Sequence, residues 1–142
     1  CTPVQILTYH VVKTFEEIKE RFASVQFDEK FDLIVAIANG GIIPAALLNQ
    51  RLGIAIHLLY INWRDAQQKP KYNAPLLIAP INFETKNKTI LLVEDRVKTG
   101  TTIEFAKNLL GHEAGLVKTF AVNGPADYSL YNEACFKFPW IL

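Results

Sequence analysis

The chain predicts an α/β fold: a central, mostly parallel sheet with helices on its faces. Residues 31–38, FDLIVAIA, form a continuous apolar run that stops at Asn39-Gly40-Gly41, the pattern of a strand buried on both faces. Residues 54–61, IAIHLLYI, and 89–93, TILLV, are apolar runs too. Segments with helical spacing lie around them, and strands alternating with helices argue for crossover units and a parallel sheet.

The elements follow in order. Thr14 and Glu17 have the spacing of a capping box, and Phe15, Ile18, Phe22 and Val25 recur at helical spacing, so a first amphipathic helix is expected over residues 14–26. After the first strand, Pro44 suits a first helical turn and Gly53 a C-cap. Residues 62–73 are polar, aperiodic and carry Arg64, Lys69 and Lys71, which reads as a long loop of the lid or binding type. Residues 76–81 are a further apolar run, followed by a polar turn at 84–88. A helix over 101–110 has Ile103, Ala106 and Leu110 on one stripe with Gly111 past its end, and residues 116–122 are a last strand candidate.

At 142 residues the chain fits one domain, expected to span residues 1–142. Half of it is apolar, as in soluble globular proteins. Fifteen basic residues against fourteen acidic ones leave a net charge of +1, so no broad footprint for nucleic acid or an anionic membrane is present and any bound anion is held locally. No apolar run approaches the roughly 18 residues that read as a membrane span, and no secretory leader is visible. Cys1 and Cys135 have no spacing that suggests a zinc site or a disulfide framework, so a reducing, cytoplasmic setting is expected. The lack of any methionine leads to the expectation of a short stretch before Cys1. His10, His57 and His112 are isolated and receive no chemistry.

The chemistry concentrates in residues 90–102, ILLVEDRVKTGTT. In open parallel sheets ligands sit beyond the carboxyl ends of the strands, where Asn39-Gly40-Gly41 and residues 94–100 both fall. Gly100 allows a tight turn, the following helix offers exposed N–H groups and the positive end of its dipole, and Thr99, Thr101 and Thr102 add hydroxyls: a phosphate cradle. Glu94 and Asp95 repel that phosphate, so they address something beside it, sugar hydroxyls or a magnesium ion. Neither G-x-G-x-x-G nor G-x-x-x-x-G-K-[ST] occurs. Taken piece by piece, the bland alternative is a solvated strand end and an ordinary N-cap.

This ordered string resembles the PRPP-binding signature of type I phosphoribosyltransferases: an apolar strand, two acids, three variable residues, then T-G-x-T. Residues 34–53, IVAIANGGIIPAALLNQRLG, are similar to the family's first strand, pyrophosphate loop and helix, and Asp127-Tyr128 with FKFPW, residues 136–140, resembles the C-terminal hood of the xanthine and hypoxanthine branch. The likeness runs from about residue 31 to residue 140. It implies the family fold, a central sheet flanked by helices with a small C-terminal hood. It also implies that Glu94 and Asp95 hold the ribose hydroxyls of PRPP, that Lys98, Thr99, Gly100, Thr101 and Thr102 wrap its 5′-phosphate, and that Asn39, Gly40 and Gly41 form the pyrophosphate loop. Arg64 would belong to the flexible loop, Cys135 and Phe136 to the base hood, and Lys98 and Asp95 are the candidate catalytic residues. The implied reaction transfers the phosphoribosyl group to a nucleobase, expected to be a purine, with release of pyrophosphate. Magnesium is carried on the PRPP, and a homodimer is expected.

The sequence departs from that pattern in four places. Lys98 stands where 6-oxopurine members usually have an aspartate, a general base typically worth about 10²–10⁴-fold. Asn39 replaces a usual Arg or Lys. Val122-Asn123 lies where purine members offer a lysine, and Cys135 aligns with a base-stacking tryptophan. Two other readings therefore stay open: a non-catalytic PRPP or nucleotide sensor on the same fold, and an interaction domain without a ligand. Lys98 can equally be a solvated loop lysine, and Phe136, Phe138 and Trp140 a packed C-terminal strand.

Overall fold

The structure is a computed structural model and describes residues 13–63, 69–70 and 72–142. The chain order is α1 (Phe15–Ser24), β1 (Leu33–Ala38), α2 (Ile42–Leu52), β2 (Ile56–Asn62), β3 (Leu76–Leu77), β4 (Thr89–Arg96), α3 (Thr101–Gly111), β5 (Leu116–Asn123) and β6 (Tyr128–Tyr131). The strands form one sheet in the order β3-β2-β1-β4-β5-β6. All neighbouring pairs are parallel except β2 with β3, which is antiparallel.

Alternation along the central strands sorts the core into two layers. Ile34 and Ala36 of β1 and Leu91 and Val93 of β4 pack with Ile18 and Phe22 of α1 and Ala45 and Leu48 of α2. Val35, Ile37, Ile90 and Leu92 face the other way, onto Ile103, Ala106 and Leu110 of α3. Apolar residues at every position of these strands thus serve helices on both faces, which is why no polar alternation is visible in them.

The expected helix starts hold. The Thr14 hydroxyl accepts from the Glu17 N–H at 3.1 Å and caps α1. The return half of the capping box is absent, because the Glu17 carboxylate accepts from the Tyr131 hydroxyl at 2.9 Å instead. Gly53 ends α2 in the left-handed region, φ 69°.

Several expectations are corrected. β2 is buried on both faces only in part, with Tyr60 42% exposed; its outer neighbour β3 has two residues. Residues 76–81 accordingly yield only this short edge strand. β4 continues through Glu94 and Asp95 to Arg96, so the acids sit within its last turn of pleat and not after it. Gly111 is the last helical residue of α3, and His112 is its cap. Residues 136–140 are not a strand; the C-terminal strand is β6, joined to β5 through residues 124–127. Cys135 is disulfide-bonded, against the expectation drawn from cysteine spacing.

Candidate functional site

The chain leaves β1 to place β2 on one side and β4 on the other, so the carboxyl ends of β1 and β4 diverge into a crevice, the usual ligand position in open α/β sheets. A cavity of about 310 Å³ occupies it. Its walls bring together Asn39 and Gly40 after β1, Glu94, Asp95 and Arg96 at the end of β4, and the loop Lys98 to Thr102. Most of the residues singled out by sequence therefore share one cavity.

The loop after β4 is built as a cradle. Gly100 has φ 82°, a conformation that a side chain resists, and it opens α3 with no side-chain cap. At that first turn the Thr99 and Thr101 hydroxyls lie 3.0 Å apart, and the Thr101 N–H donates to the Thr99 hydroxyl at 3.4 Å. Lys98 is exposed at the rim, with its chain lining the same cavity.

Across the crevice, Gly41 is packed so tightly that a Cβ would fall 2.4 Å from the Val93 carbonyl oxygen. Its N–H donates to the Ile37 carbonyl at 2.8 Å, folding the chain back at the start of α2. Gly41 supports the loop from behind, while Asn39 and Gly40 face the cavity. The Ala38–Asn39 peptide bond is cis.

The two acids differ in setting. Burial first, and the neighbouring Asp95 charge second, hold the Glu94 carboxyl well above the ordinary carboxylate range. Glu94 Oε1 accepts from the Asp95 N–H at 3.0 Å, and Asp95 Oδ1 accepts from the Arg96 N–H at 2.6 Å, so each carboxylate is folded onto the backbone that follows it. Burial lowers the Arg96 pKa, opposed by the charges of Asp95 and Glu94.

The hood residues are elsewhere. Phe136 is 1% exposed and meets Tyr131 and Phe138 edge-on, at centroid distances of 5.4 and 5.3 Å. Phe138 stacks on Trp140, whose ring meets Phe15 of α1. Neither Phe136 nor Cys135 lines the cavity. The aromatic segment folds back on α1 because that buries its rings, which leaves it as core. Val122 is fully buried, and the Asn123 amide is used within the fold, donating to the Glu133 carbonyl at 3.2 Å and accepting from the Glu133 N–H at 3.0 Å. Asp127 accepts from both the N–H and the hydroxyl of Thr119, a clamp between β5 and the start of β6. Arg64 and Lys71 lie outside the described residues, and Lys69 does not line the cavity.

Sequence reasoning missed Trp63, at the mouth of the long loop, and Arg96. Trp63 donates from Nε1 to the Tyr72 carbonyl at 3.0 Å, and nothing local marks it as part of a site. Arg96 did carry a signal, a cation ending a strand that is otherwise apolar.

Crevice, acidic pair and glycine-bearing loop lie together at the carboxyl ends of the strands of a doubly wound sheet. The family profile described as phosphoribosyl transferase domain matches residues 10–134, and the chain belongs to that family. Among curated proteins, it is similar to a xanthine-guanine phosphoribosyltransferase of Desulfotalea psychrophila, 37% identical over 81 residues, which cover 56% of this chain and 48% of that protein. The chain thus matches about half the length of that curated relative. Among solved structures, a purine phosphoribosyltransferase of Pyrococcus horikoshii superposes with TM-score 0.75 at 24% identity, covering 90% of this chain and 91% of that one. A hypoxanthine phosphoribosyltransferase of Staphylococcus aureus superposes with TM-score 0.71 at 18% identity, covering 86% and 76%. At these identities the superpositions establish the fold, the α/β sheet expected from the sequence.

Proposed function

We propose that the protein is a phosphoribosyltransferase that uses PRPP to convert a nucleobase, a purine by the resemblance, to its nucleoside monophosphate with release of pyrophosphate. The observation that carries this reading is the meeting of Glu94 and Asp95 with the Lys98 to Thr102 cradle in one cavity at the β1/β4 crevice. In it, the α3 N-terminus and the threonine hydroxyls bind the 5′-phosphate, Glu94 and Asp95 hold the ribose hydroxyls, and Asn39 and Gly40 face the pyrophosphate. The bond from C1′ to the pyrophosphate oxygen breaks, one from C1′ to a base nitrogen forms, and the proton released from the base passes to solvent. Positioning and neutralisation of leaving-group charge carry such a step, since little covalent work falls to the protein. Lys98 is the loop cation available for that neutralisation.

Among the described residues no group of three or more His, Cys, Asp or Glu side chains is gathered to hold a metal. The two cavity carboxylates fit magnesium that arrives on the substrate and keeps most of its water. Held there, the ion would offset charge on the diphosphate. The reading carries with it a single domain, a homodimer and a cytoplasmic location. No helix among the described residues is long and apolar enough to cross a membrane.

A second reading, a PRPP or nucleotide sensor, is favoured by the base-handling positions: Lys98 replaces the usual acid, Val122 is buried, and the Asn123 amide is used by Glu133. Thermal unfolding with PRPP and magnesium tests both readings. Ligand at 100 times its dissociation constant adds about 2.7 kcal/mol, and no shift at millimolar PRPP would overturn both. Pyrophosphate release with guanine, xanthine, hypoxanthine, adenine and orotate then separates enzyme from sensor.

A further inference from the structure

Arg96 lines the cavity, but its guanidinium is turned toward the C-terminal segment. Nη2 donates to the Phe136 carbonyl at 3.1 Å, and Cζ stands 4.5 Å from the centre of the Phe138 ring. Phe138 is itself backed by Trp140, with ring centroids 5.0 Å apart and planes 11° from parallel. The cation therefore rests on a fixed aromatic platform at the hood side of the cavity.

Its hydrogen bonding is incomplete. A guanidinium has five N–H donors, and the Phe136 carbonyl takes one. The Nε–H is out of solvent without an acceptor. The ion pairs among the described residues are Lys13 with Glu133 and Lys19 with Glu16, so neither Glu94 nor Asp95 pairs with Arg96. A buried, charged donor without a partner is costly, and this one belongs to a side chain that lines the cavity. The missing partner is one that an occupant of the cavity can bring.

The next step rests on the function proposed above. With the 5′-phosphate at residues 98–102, the ribose at the acids and pyrophosphate at Asn39 and Gly40, the lining left for the acceptor base includes Arg96 and Val97. We propose that Arg96 is a specificity-determining residue that selects bases carrying negative charge, as an ionised oxo group or a ring carboxylate, over neutral ones. An anionic oxygen gives the guanidinium a charge-assisted, two-pronged partner. A neutral base leaves guanidinium donors unpaired, the situation in which buried polar groups discriminate most strongly.

The test needs no turnover. Affinities of the full chain are measured calorimetrically for xanthosine against inosine 5′-monophosphate, orotidine against uridine 5′-monophosphate, and ribose 5-phosphate. The wild type is expected to bind the member with the anionic base at least tenfold more tightly, about 1.4 kcal/mol. Arg96→Leu abolishes that ratio and leaves ribose 5-phosphate unchanged. Arg96→Gln, which can still donate to the Phe136 carbonyl, abolishes it too and serves if the leucine variant does not fold. Equal wild-type affinities, a ratio that survives both substitutions, or a parallel loss for ribose 5-phosphate overturns the proposal. Failure of the wild type to bind ribose 5-phosphate removes the proposed function itself, and the selector with it.

Discussion

Gly40 faces the carboxylate of Asp95: a Cβ built on Gly40 would stand 2.6 Å from Asp95 Oδ1 and 2.8 Å from its Cγ. The loop after β1 and the acidic end of β4 are thus in contact through the smallest possible residue. Asp95 has little room to retreat, since Oδ1 also accepts the Arg96 N–H at 2.6 Å. Gly40→Ala is expected to displace the Asp95 carboxylate and weaken ribose 5-phosphate binding by tenfold or more, at a stability cost of about 1–3 kcal/mol. Calorimetric titration beside urea unfolding checks both; unchanged affinity would show that Asp95 does not hold the sugar.

Glu94 gives a pH signature. Its folded pKa is raised, by burial first and by Asp95 second, so the folded state holds the proton more tightly than the unfolded one. The stability from this group is full below the unfolded value of about 4.3 and is lost as pH rises through the folded value. At neutral pH Glu94 therefore destabilises the empty protein. Glu94→Gln is expected to raise Tm at pH 7, with the difference from wild type closing toward pH 4. A constant difference across that range would contradict the assignment.

Phe136 separates packing from base contact. Buried among Tyr131 and Phe138, its truncation to alanine is expected to cost about 3–5 kcal/mol in chemical unfolding. The folded fraction keeps its affinity for ribose 5-phosphate. A variant of unchanged stability with altered acceptor binding would restore Phe136 to the hood role that the sequence suggested.

Thr14→Ala removes the cap of α1 and with it the acceptor for the Glu17 N–H. The expected cost is about 1 kcal/mol, seen as roughly 3 °C in Tm. Ligand affinity stays unchanged, because α1 lies on the face opposite α3 and contributes nothing to the cavity.

Local patterns were legible. The cap at Thr14, the left-handed Gly53 and the unbroken apolar run of β1 each depend on neighbours in sequence, and the string from Ile90 to Thr102 encodes strand, acids, turn and helix within one stretch. Edge position was legible only in part: Pro80 interrupts the apolar run of residues 76–81, and the pairing with β2 decides that β3 has two residues.

By itself, then, the sequence determined the α/β class and the strand, acids, turn and helix of residues 90–102, because periodicity, capping and turn chemistry act over a few residues. Only the tertiary structure decided that Gly40 meets Asp95, that Asn123 is consumed by Glu133, that Phe136 belongs to the core, and that Arg96 reaches the hood. Those contacts join segments whose approach is set by the order of strands in the sheet, and no local signal states which distant side chain will be there.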